Sequence, residues 1–123
     1  MKNLCRALAL ALVLAATIAS AALASSSLSG TYETTVKNAG DLNGTYKITF
    51  SPGHFTLLAP YNITGHGTYS ISGSRMTLHG PSSSCKAAGV YSFSISGSSL
   101  SFHKISDPCE RSKILTAHSL KRI

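Results

Sequence analysis

The chain has 123 residues, which is room for one domain of ordinary size and a short N-terminal segment. Hydrophobic residues make up 43% of the chain and charged residues 12%, a balance that excludes a disordered chain and, with only 10 glycines, a collagen-like one. The formal net charge of +7 comes from 11 Lys and Arg against 4 Asp and Glu.

Residues 1–24 have the three parts of a secretory signal. Two basic residues precede an apolar run, and small residues end the segment. The run is shorter than the roughly 20 apolar residues of a membrane-spanning helix, so we expect a signal helix cleaved after Ala24 or Ala21, and no stable membrane anchor afterwards. Residues 25–123 then form a single secreted domain, extracellular or periplasmic, which we expect to be a monomer.

The domain is predicted to be all-β. Thr, Ser, Tyr, Phe, Ile and Val alternate between glycines from residue 25 onward, and no window shows the spacing of an amphipathic helix. Gly-x-Tyr tripeptides open four segments, beginning at Gly30, Gly44, Gly67 and Gly89. Eight strands are predicted, near residues 30–37, 44–51, 54–59, 67–72, 75–80, 88–96, 99–105 and 113–119.

Alternation along these strands gives one apolar and one polar face, which is typical of an antiparallel sheet. The apolar face must be covered or must close on itself. Eight short sequential strands therefore predict a small eight-stranded antiparallel up-and-down β-barrel, whose interior is either filled by side chains or holds one small ligand. The predicted inward residues are Tyr32, Val36, Tyr46, Ile48, Phe50, Phe55, Leu57, Tyr69, Ile71, Met76, Leu78, Tyr91, Phe93, Ile95, Leu100 and Phe102.

Two of the three cysteines remain after removal of a signal that contains Cys5. In an oxidising compartment Cys85 and Cys109 are expected to form a disulfide. The chain-entropy model gives about 3.5 kcal/mol for a bridge that closes about 25 residues. Zinc or redox chemistry would need further ligands or a Cys-x-x-Cys spacing, and the sequence has neither.

A family resemblance follows from the order of these motifs. Leu-x-Gly-x-Tyr-x-x-x-Phe from Leu42 to Phe50 is followed by the Gly67 and Tyr91 segments, and the chain ends with Asp-Pro-Cys-x-Arg at residues 107–111. In this order the chain resembles the small secreted lipocalin-like proteins of the calycin type found in bacteria.

The resemblance implies an eight-stranded barrel, the Cys85–Cys109 bridge, and an Arg near the chain end that covers a Gly-x-Trp of an early strand. Gly44-Thr45-Tyr46 and Arg111 are the candidates for these positions, with Arg111 as the barrel-closing residue. Tyr46 replaces the Trp of lipocalins proper, and the domain is shorter than theirs, so the resemblance does not imply a large calyx.

Aromatic residues at strand starts are the candidate ligand contacts. Tyr46, Tyr69, Tyr91 and Phe93 could line a pocket, where each ring offers apolar contact and each phenol one hydroxyl. The alternative is that the same rings fill the barrel ends. Both interpretations stay open at the level of sequence.

Catalysis, metal binding and nucleic-acid binding have weak support in the sequence. The 4 acidic residues form no spaced pair within an apolar segment, and the serines lack a Gly-x-Ser-x-Gly elbow. His66, His79 and His103 share the polar face but do not converge on a metal site. We therefore expect no enzyme activity, no cofactor, no metal and no nucleic-acid partner.

The leading hypothesis is binding of a small apolar or amphipathic molecule at the barrel mouth. The alternative is an interaction module without a cavity, in which basic residues near the chain end engage an anionic macromolecule. Lys113, Lys121 and Arg122 are the candidates for that patch, with Arg111 nearby in sequence.

Overall fold

The computed structural model describes residues 27–82 and 84–123, which form a closed barrel of eight antiparallel strands. Each strand pairs with the next, and the last pairs with the first. The predicted fold class is therefore confirmed, whereas the predicted signal in residues 1–24 lies outside the described residues. The elements are β1 (Gly30–Val36), β2 (Gly44–Ser51), β3 (His54–Ala59), β4 (Ile63–Ser72), β5 (Arg75–His79), β6 (Gly89–Ser96), β7 (Ser99–Ser106), helix α1 (Arg111–Leu115) and β8 (Leu120–Arg122).

The predicted eighth strand is wrong. Residues 113–119 were expected to be extended, but α1 occupies Arg111–Leu115, and the last strand is only the three residues Leu120–Arg122. Three residues are too few for alternation to be visible in the sequence. The other seven strands lie within a few residues of their predicted places, and β4 begins earlier than predicted, at Ile63.

The core is the predicted apolar face. All of the predicted inward residues are buried or half-buried except Ile95, which is 49% exposed. Ile95 lies beyond Ser92, the last residue of β6 that pairs with β5, so β6 extends past the end of its neighbour at this point. Leu28, Leu115 and Leu120 complete the core from outside the predicted face.

The two ends of the barrel differ in the length of their connections. Tight turns at residues 52–53, 73–74 and 97–98 mark one end, which we call the turn end. The opposite end, the loop end, carries the longer connections, which are residues 37–43, 80–88 and 107–119, together with the tip of the β3–β4 hairpin at residues 60–62.

The turn end is closed by Tyr69. Its hydroxyl donates a hydrogen bond to the Ser51 carbonyl at 2.8 Å and accepts one from the Leu28 N–H at 2.9 Å. Its ring packs edge-on against Phe50 with centroids 5.6 Å apart. Because both hydrogen-bonding roles of the phenol are used by backbone groups, Tyr69 fills this end of the barrel.

Thr34 is an inward polar residue whose hydroxyl is buried without a hydrogen-bond partner among the described residues. A buried unsatisfied hydroxyl costs about 1–3 kcal/mol of desolvation. We expect Thr34→Val, which keeps the β-branched shape suited to a strand, to raise the free energy of unfolding by about 1 kcal/mol. Urea unfolding monitored by tyrosine fluorescence measures this change, with Thr56→Val at an exposed position of β3 as the control. A loss of stability would mean that the hydroxyl has a partner.

No helix in residues 27–82 and 84–123 is long and apolar enough to cross a membrane.

Candidate functional site

Packed side chains occupy the interior of the barrel. A cavity between its walls has a volume of only about 30 Å³ and is bounded mainly by apolar side chains, including Phe50, Phe55, Leu57 and Phe102. A water molecule occupies about that much volume, whereas pockets for small organic ligands measure about 300–1,000 Å³. Of the two states expected for so small a barrel, the structure has the filled one.

An open cleft lies at the loop end, with a volume of about 610 Å³. We call it the end cleft. The tip of the β3–β4 hairpin, the loop after β5 and the segment leading into α1 form most of its wall. Asp41 and Leu42 before β2, and Tyr46 on β2, complete it. The wall is largely apolar and includes Leu57, Ala59, Pro60, Pro81 and Ile114. Its volume falls within the range of small-molecule sites.

Helix α1 separates the end cleft from the interior. Arg111 and Ile114 of α1, together with Leu57 and Pro81, line both the cleft and the small interior cavity. Leu115, on the same helix, is buried in the core. The residues of α1 therefore form a floor for the cleft and a cover for the barrel at the same time.

Arg111 holds this cover in place through three hydrogen bonds. Its Nε donates to Asp107 Oδ2 at 2.7 Å, Nη1 to the Gly80 carbonyl at 2.8 Å, and Nη2 to the Ala87 carbonyl at 2.6 Å. The Asp107 side chain is fully buried, and the Arg111 side chain is 9% exposed. The guanidinium thus ties α1 to the loop between β5 and β6.

Asp107 is the centre of the network. Besides Arg111, it accepts a hydrogen bond from the Tyr91 hydroxyl at Oδ2 and one from the Cys109 N–H at Oδ1, at 2.9 Å. Burial alone would raise the pKa of Asp107, but the hydrogen bonds from Tyr91 and Arg111 outweigh it and hold that pKa below its ordinary value. The carboxyl group is therefore ionised at neutral pH and balances the Arg111 charge.

The pKa of Tyr91 is shifted in the opposite direction from that of Asp107. Burial, followed by the hydrogen bond to the Asp107 carboxylate, raises the pKa of the Tyr91 phenol well above its ordinary value. Such a phenol keeps its proton and donates it to Asp107, so it serves as a structural donor. Burial likewise raises the pKa of Tyr46.

Gly89 provides the space for the network. A Cβ at this position would lie 2.5 Å from Asp107 Oδ2 and 2.7 Å from Arg111 Nε. The resemblance suggested Gly44-Thr45-Tyr46 as the tripeptide that Arg111 covers. In the structure Arg111 lies against Gly89 and, through Asp107, reaches Tyr91, so the tripeptide beside it is Gly89-Val90-Tyr91.

The disulfide lies in the wall of the end cleft. Cys85 and Cys109 are bonded, with their Cα atoms 6.0 Å apart, as predicted. The bond joins the loop between β5 and β6 to the segment that precedes α1. Both cysteines line the cleft, so the bridge fixes two parts of one wall.

Of the four ligand-contact candidates, only Tyr46 lines the end cleft, and its hydroxyl donates to the Leu42 carbonyl at 2.7 Å. Tyr69 closes the turn end, and Tyr91 is fully buried beside Asp107. Phe93 packs against the core from a half-buried position. The structure does not bring these four residues together.

Sequence reasoning missed Tyr61 and Ile63 at the hairpin tip and Ile114 of α1, all of which line the cleft. Ile63 has the inward parity of β4 but lies beyond the barrel end, and it is 62% exposed. Adjacent left-handed residues, Tyr61 and Asn62, form the tip. The Pro-Tyr-Asn sequence between two strands was the available signal for a projecting turn.

The basic residues near the chain end do not form one patch. Lys113 lies on α1 at the loop end, where its Nζ is 3.7 Å from Glu110 Oε1. Lys121 lies on β8 and donates to Ser99 Oγ at 2.9 Å, next to the turn end. Arg122 lies opposite Tyr32 in the pairing of β8 with β1, and its guanidinium packs beside Gly30.

The histidines His66, His79 and His103 are exposed on the outer face of the barrel. His66 lies opposite Thr56, His79 opposite Thr68, and His103 opposite Ser92. Within the described part of the chain, no three His, Cys, Asp or Glu side chains are grouped so that they could hold a metal ion.

Comparison of the chain with protein-family models, curated proteins and solved structures finds no match. The likeness to lipocalin-like proteins is supported by the fold alone, an eight-stranded antiparallel closed barrel with one disulfide.

Proposed function

We propose that this chain is a secreted, non-enzymatic barrel of the calycin type that binds a small amphipathic molecule in the end cleft. The observation that carries the proposal is the contrast between the two cavities. The interior holds about 30 Å³, whereas the end cleft holds about 610 Å³ behind a largely apolar wall. A ligand of ordinary size therefore has room at the mouth of the barrel.

The wall of the cleft favours an amphipathic ligand over a purely apolar one. Leu57, Pro81 and Ile114 offer apolar contact near the floor, while Asp41 and Glu110 also line the cleft and are exposed. Burial of apolar area stabilises such a complex by about 25 cal/mol per Å². Polar groups beside an apolar floor fix the orientation of a ligand that has one polar end.

The alternative, an anionic macromolecule held by a basic patch, has less support. Lys113 is engaged with Glu110 at the loop end, whereas Lys121 and Arg122 lie on β8 towards the other end. Separated single charges on exposed side chains make a weak recognition surface. The end cleft is a larger and better defined candidate site than these separated charges.

Filling the cleft tests the proposal. Ala59 is half-buried in the cleft wall, and Ala59→Trp places an indole in the space that a ligand would occupy. With an uncharged solvatochromic dye as the probe, we expect the variant to weaken saturable binding at least about tenfold, equivalent to about 1.4 kcal/mol. Fluorescence titration of the full chain measures the dissociation constant.

The matched control is Ala117→Trp, which adds the same ring at an exposed position after α1. It is expected to bind the dye like the wild type. Equal affinity in all three proteins would place dye binding elsewhere, and absence of saturable binding by the wild type would overturn the proposal. Native mass spectrometry of the protein from its own host is expected to show a bound mass that Ala59→Trp lacks.

A further inference from the structure

We infer that the end cleft selects ligands with a cationic head group, an amine or a quaternary ammonium attached to an apolar body. This inference rests on the proposed function and specifies in addition that the ligand carries a positive charge. It follows from which charged residues line the cleft, how each is paired, and which aromatic ring is exposed at its rim.

The acidic residues are concentrated at the cleft although the chain is basic. The sequence has 4 acidic residues against 11 Lys and Arg. Asp41 and Glu110 line the cleft and are exposed, while Asp107 lies behind Arg111. Glu33 is the remaining one and lies on the outer face of β1. Among the charged residues that line the cleft, carboxylates therefore outnumber basic side chains two to one, in contrast to the chain as a whole.

Arg111, the basic side chain that lines the cleft, does not offset these carboxylates. Its charge is balanced by Asp107 at 2.7 Å, and its other two nitrogens donate to the carbonyls of Gly80 and Ala87. The side chain is only 9% exposed, and each of its three guanidinium nitrogens already donates to a protein acceptor. An anionic ligand would therefore meet Asp41 and Glu110 without a free guanidinium to bind it.

Lys113 reduces the charge of Glu110 only in part. Its Nζ lies 3.7 Å from Glu110 Oε1, but the two side chains are 61% and 72% exposed. Exposed pairs of this kind are screened by water and are worth about 0–1 kcal/mol. A bound cation in the cleft competes with Lys113 for Glu110, whereas Asp41 is in no ion pair among the described residues.

Tyr61 adds an aromatic surface at the rim. The residue lies at the tip of the β3–β4 hairpin, lines the cleft and is 93% exposed. A fully exposed tyrosine ring beside an apolar cleft is available to cover a ligand. Aromatic faces attract ammonium groups by about 0.5–1 kcal/mol at exposed sites. Carboxylates and an aromatic ring around one apolar cleft form a combination suited to an alkylated amine.

The test uses three probes with the same decyl chain, each below its micelle concentration. They are decyltrimethylammonium, decyl maltoside and decyl sulfate, and isothermal titration at low salt measures each dissociation constant. We expect the ammonium probe to bind at least about tenfold more tightly than the sulfate, a factor equivalent to about 1.4 kcal/mol. Non-specific attraction to a basic chain would give the reverse order.

Variants locate the selectivity. The double variant Asp41→Asn and Glu110→Gln is expected to weaken binding of the ammonium probe on the order of tenfold and to weaken binding of the uncharged maltoside probe far less. Tyr61→Leu, which keeps an apolar side chain, is expected to weaken binding of the ammonium probe about two- to fivefold. Glu33→Gln is the matched control, because it removes a half-buried acidic charge on the outer face of β1 that does not line the cleft, and it should change the binding of neither probe.

The outcomes separate this inference from the proposed function. If all three probes compete with the uncharged dye and bind equally, or if the sulfate binds best, the cleft is a ligand site without cation selectivity and the inference is overturned. If none of the probes binds and the dye does not bind either, both fail. A preference for ammonium that survives the double variant would also overturn the inference, because its source would lie elsewhere.

Discussion

Arg111→Met is expected to lower the free energy of unfolding by about 3–5 kcal/mol, the largest effect of any single substitution considered. Methionine fills a similar volume, but it leaves the fully buried Asp107 carboxylate without its counter-ion and frees the carbonyls of Gly80 and Ala87. An uncompensated buried charge is costly, whereas a matched pair is nearly neutral relative to an apolar pair. Guanidinium unfolding monitored by circular dichroism at pH 7 measures the loss.

The dependence of stability on pH gives the Arg111 prediction an independent readout. The pKa of Asp107 is lowered in the folded state, so its contribution to stability is present above the unfolded pKa of about 3.9 and is lost as pH falls through the lower folded value. The wild type should lose stability in that acid range, and Arg111→Met should lose less there. A cost below about 1 kcal/mol at pH 7, with an unchanged acid dependence, would contradict the assigned role.

Tyr91 extends the same reasoning to alkaline pH. The pKa of its phenol is raised in the folded state, so its contribution is present below the unfolded value of about 10 and is lost as pH rises through the folded pKa. Stability should therefore fall above about pH 10 in the wild type.

Replacing both Cys85 and Cys109 with serine is expected to lower the free energy of unfolding by about 3.5 kcal/mol. The bridge spans a sequence separation of 24 residues and restricts the unfolded chain accordingly. In a domain of about 100 residues, whose total stability is about 5–15 kcal/mol, such a loss is large. Denaturant titration compares the oxidised wild type, the reduced wild type and the double variant.

The reduced wild type is the control, because it should match the double variant if the bond itself is responsible. In hydrogen-exchange measurements, amides that exchange by global unfolding should exchange faster in line with the lower free energy of unfolding, and residues 80–88 and 107–119, which the bond joins, should show a further local rise. A loss below about 1 kcal/mol would contradict the stabilising role of the bond, and the absence of the further rise would contradict a local role at the end cleft.

The strands could be predicted because their inward residues alternate without interruption. Tyr46, Ile48 and Phe50 of β2 repeat every second position, and the structure buries all three. The same period fails near the chain end, where Leu115 and Leu120 are both buried although they are five positions apart and the chain turns between them. Alternation describes a residue's neighbours on its own strand, so it carries no information on such a turn.

The site was less predictable, because it depends on contacts between distant segments. The resemblance implied that Arg111 closes the barrel, yet its acceptors on Gly80 and Ala87 belong to a loop 31 and 24 residues earlier in the chain. The end cleft arises because β3 and β4 continue past the barrel wall, which brings Tyr61 and Ile63 to its rim. No pattern within one strand distinguishes a projecting hairpin from one that ends with its neighbours.

The aromatic candidates show why residue type did not identify the pocket. Tyr46, Tyr69 and Tyr91 have the same sequence context, each following a Gly-x pair. Their hydroxyls reach Leu42, Ser51 and Asp107 respectively. Tyr46 and Tyr91 both lie at the loop end, but only Tyr46 borders the end cleft, whereas Tyr91 is buried beneath the Asp107–Arg111 pair.

The central claim is that ligands bind at the loop end, outside the filled barrel, and backbone amide mapping by NMR with decyltrimethylammonium tests it most directly. We expect saturable shifts in the hairpin tip at residues 60–62, in the loop at residues 80–88 and in α1. The amides around the turns at residues 52–53, 73–74 and 97–98 should stay in place. Shifts centred on that turn end, or spread through the inward residues of β5 and β6, would contradict the claim.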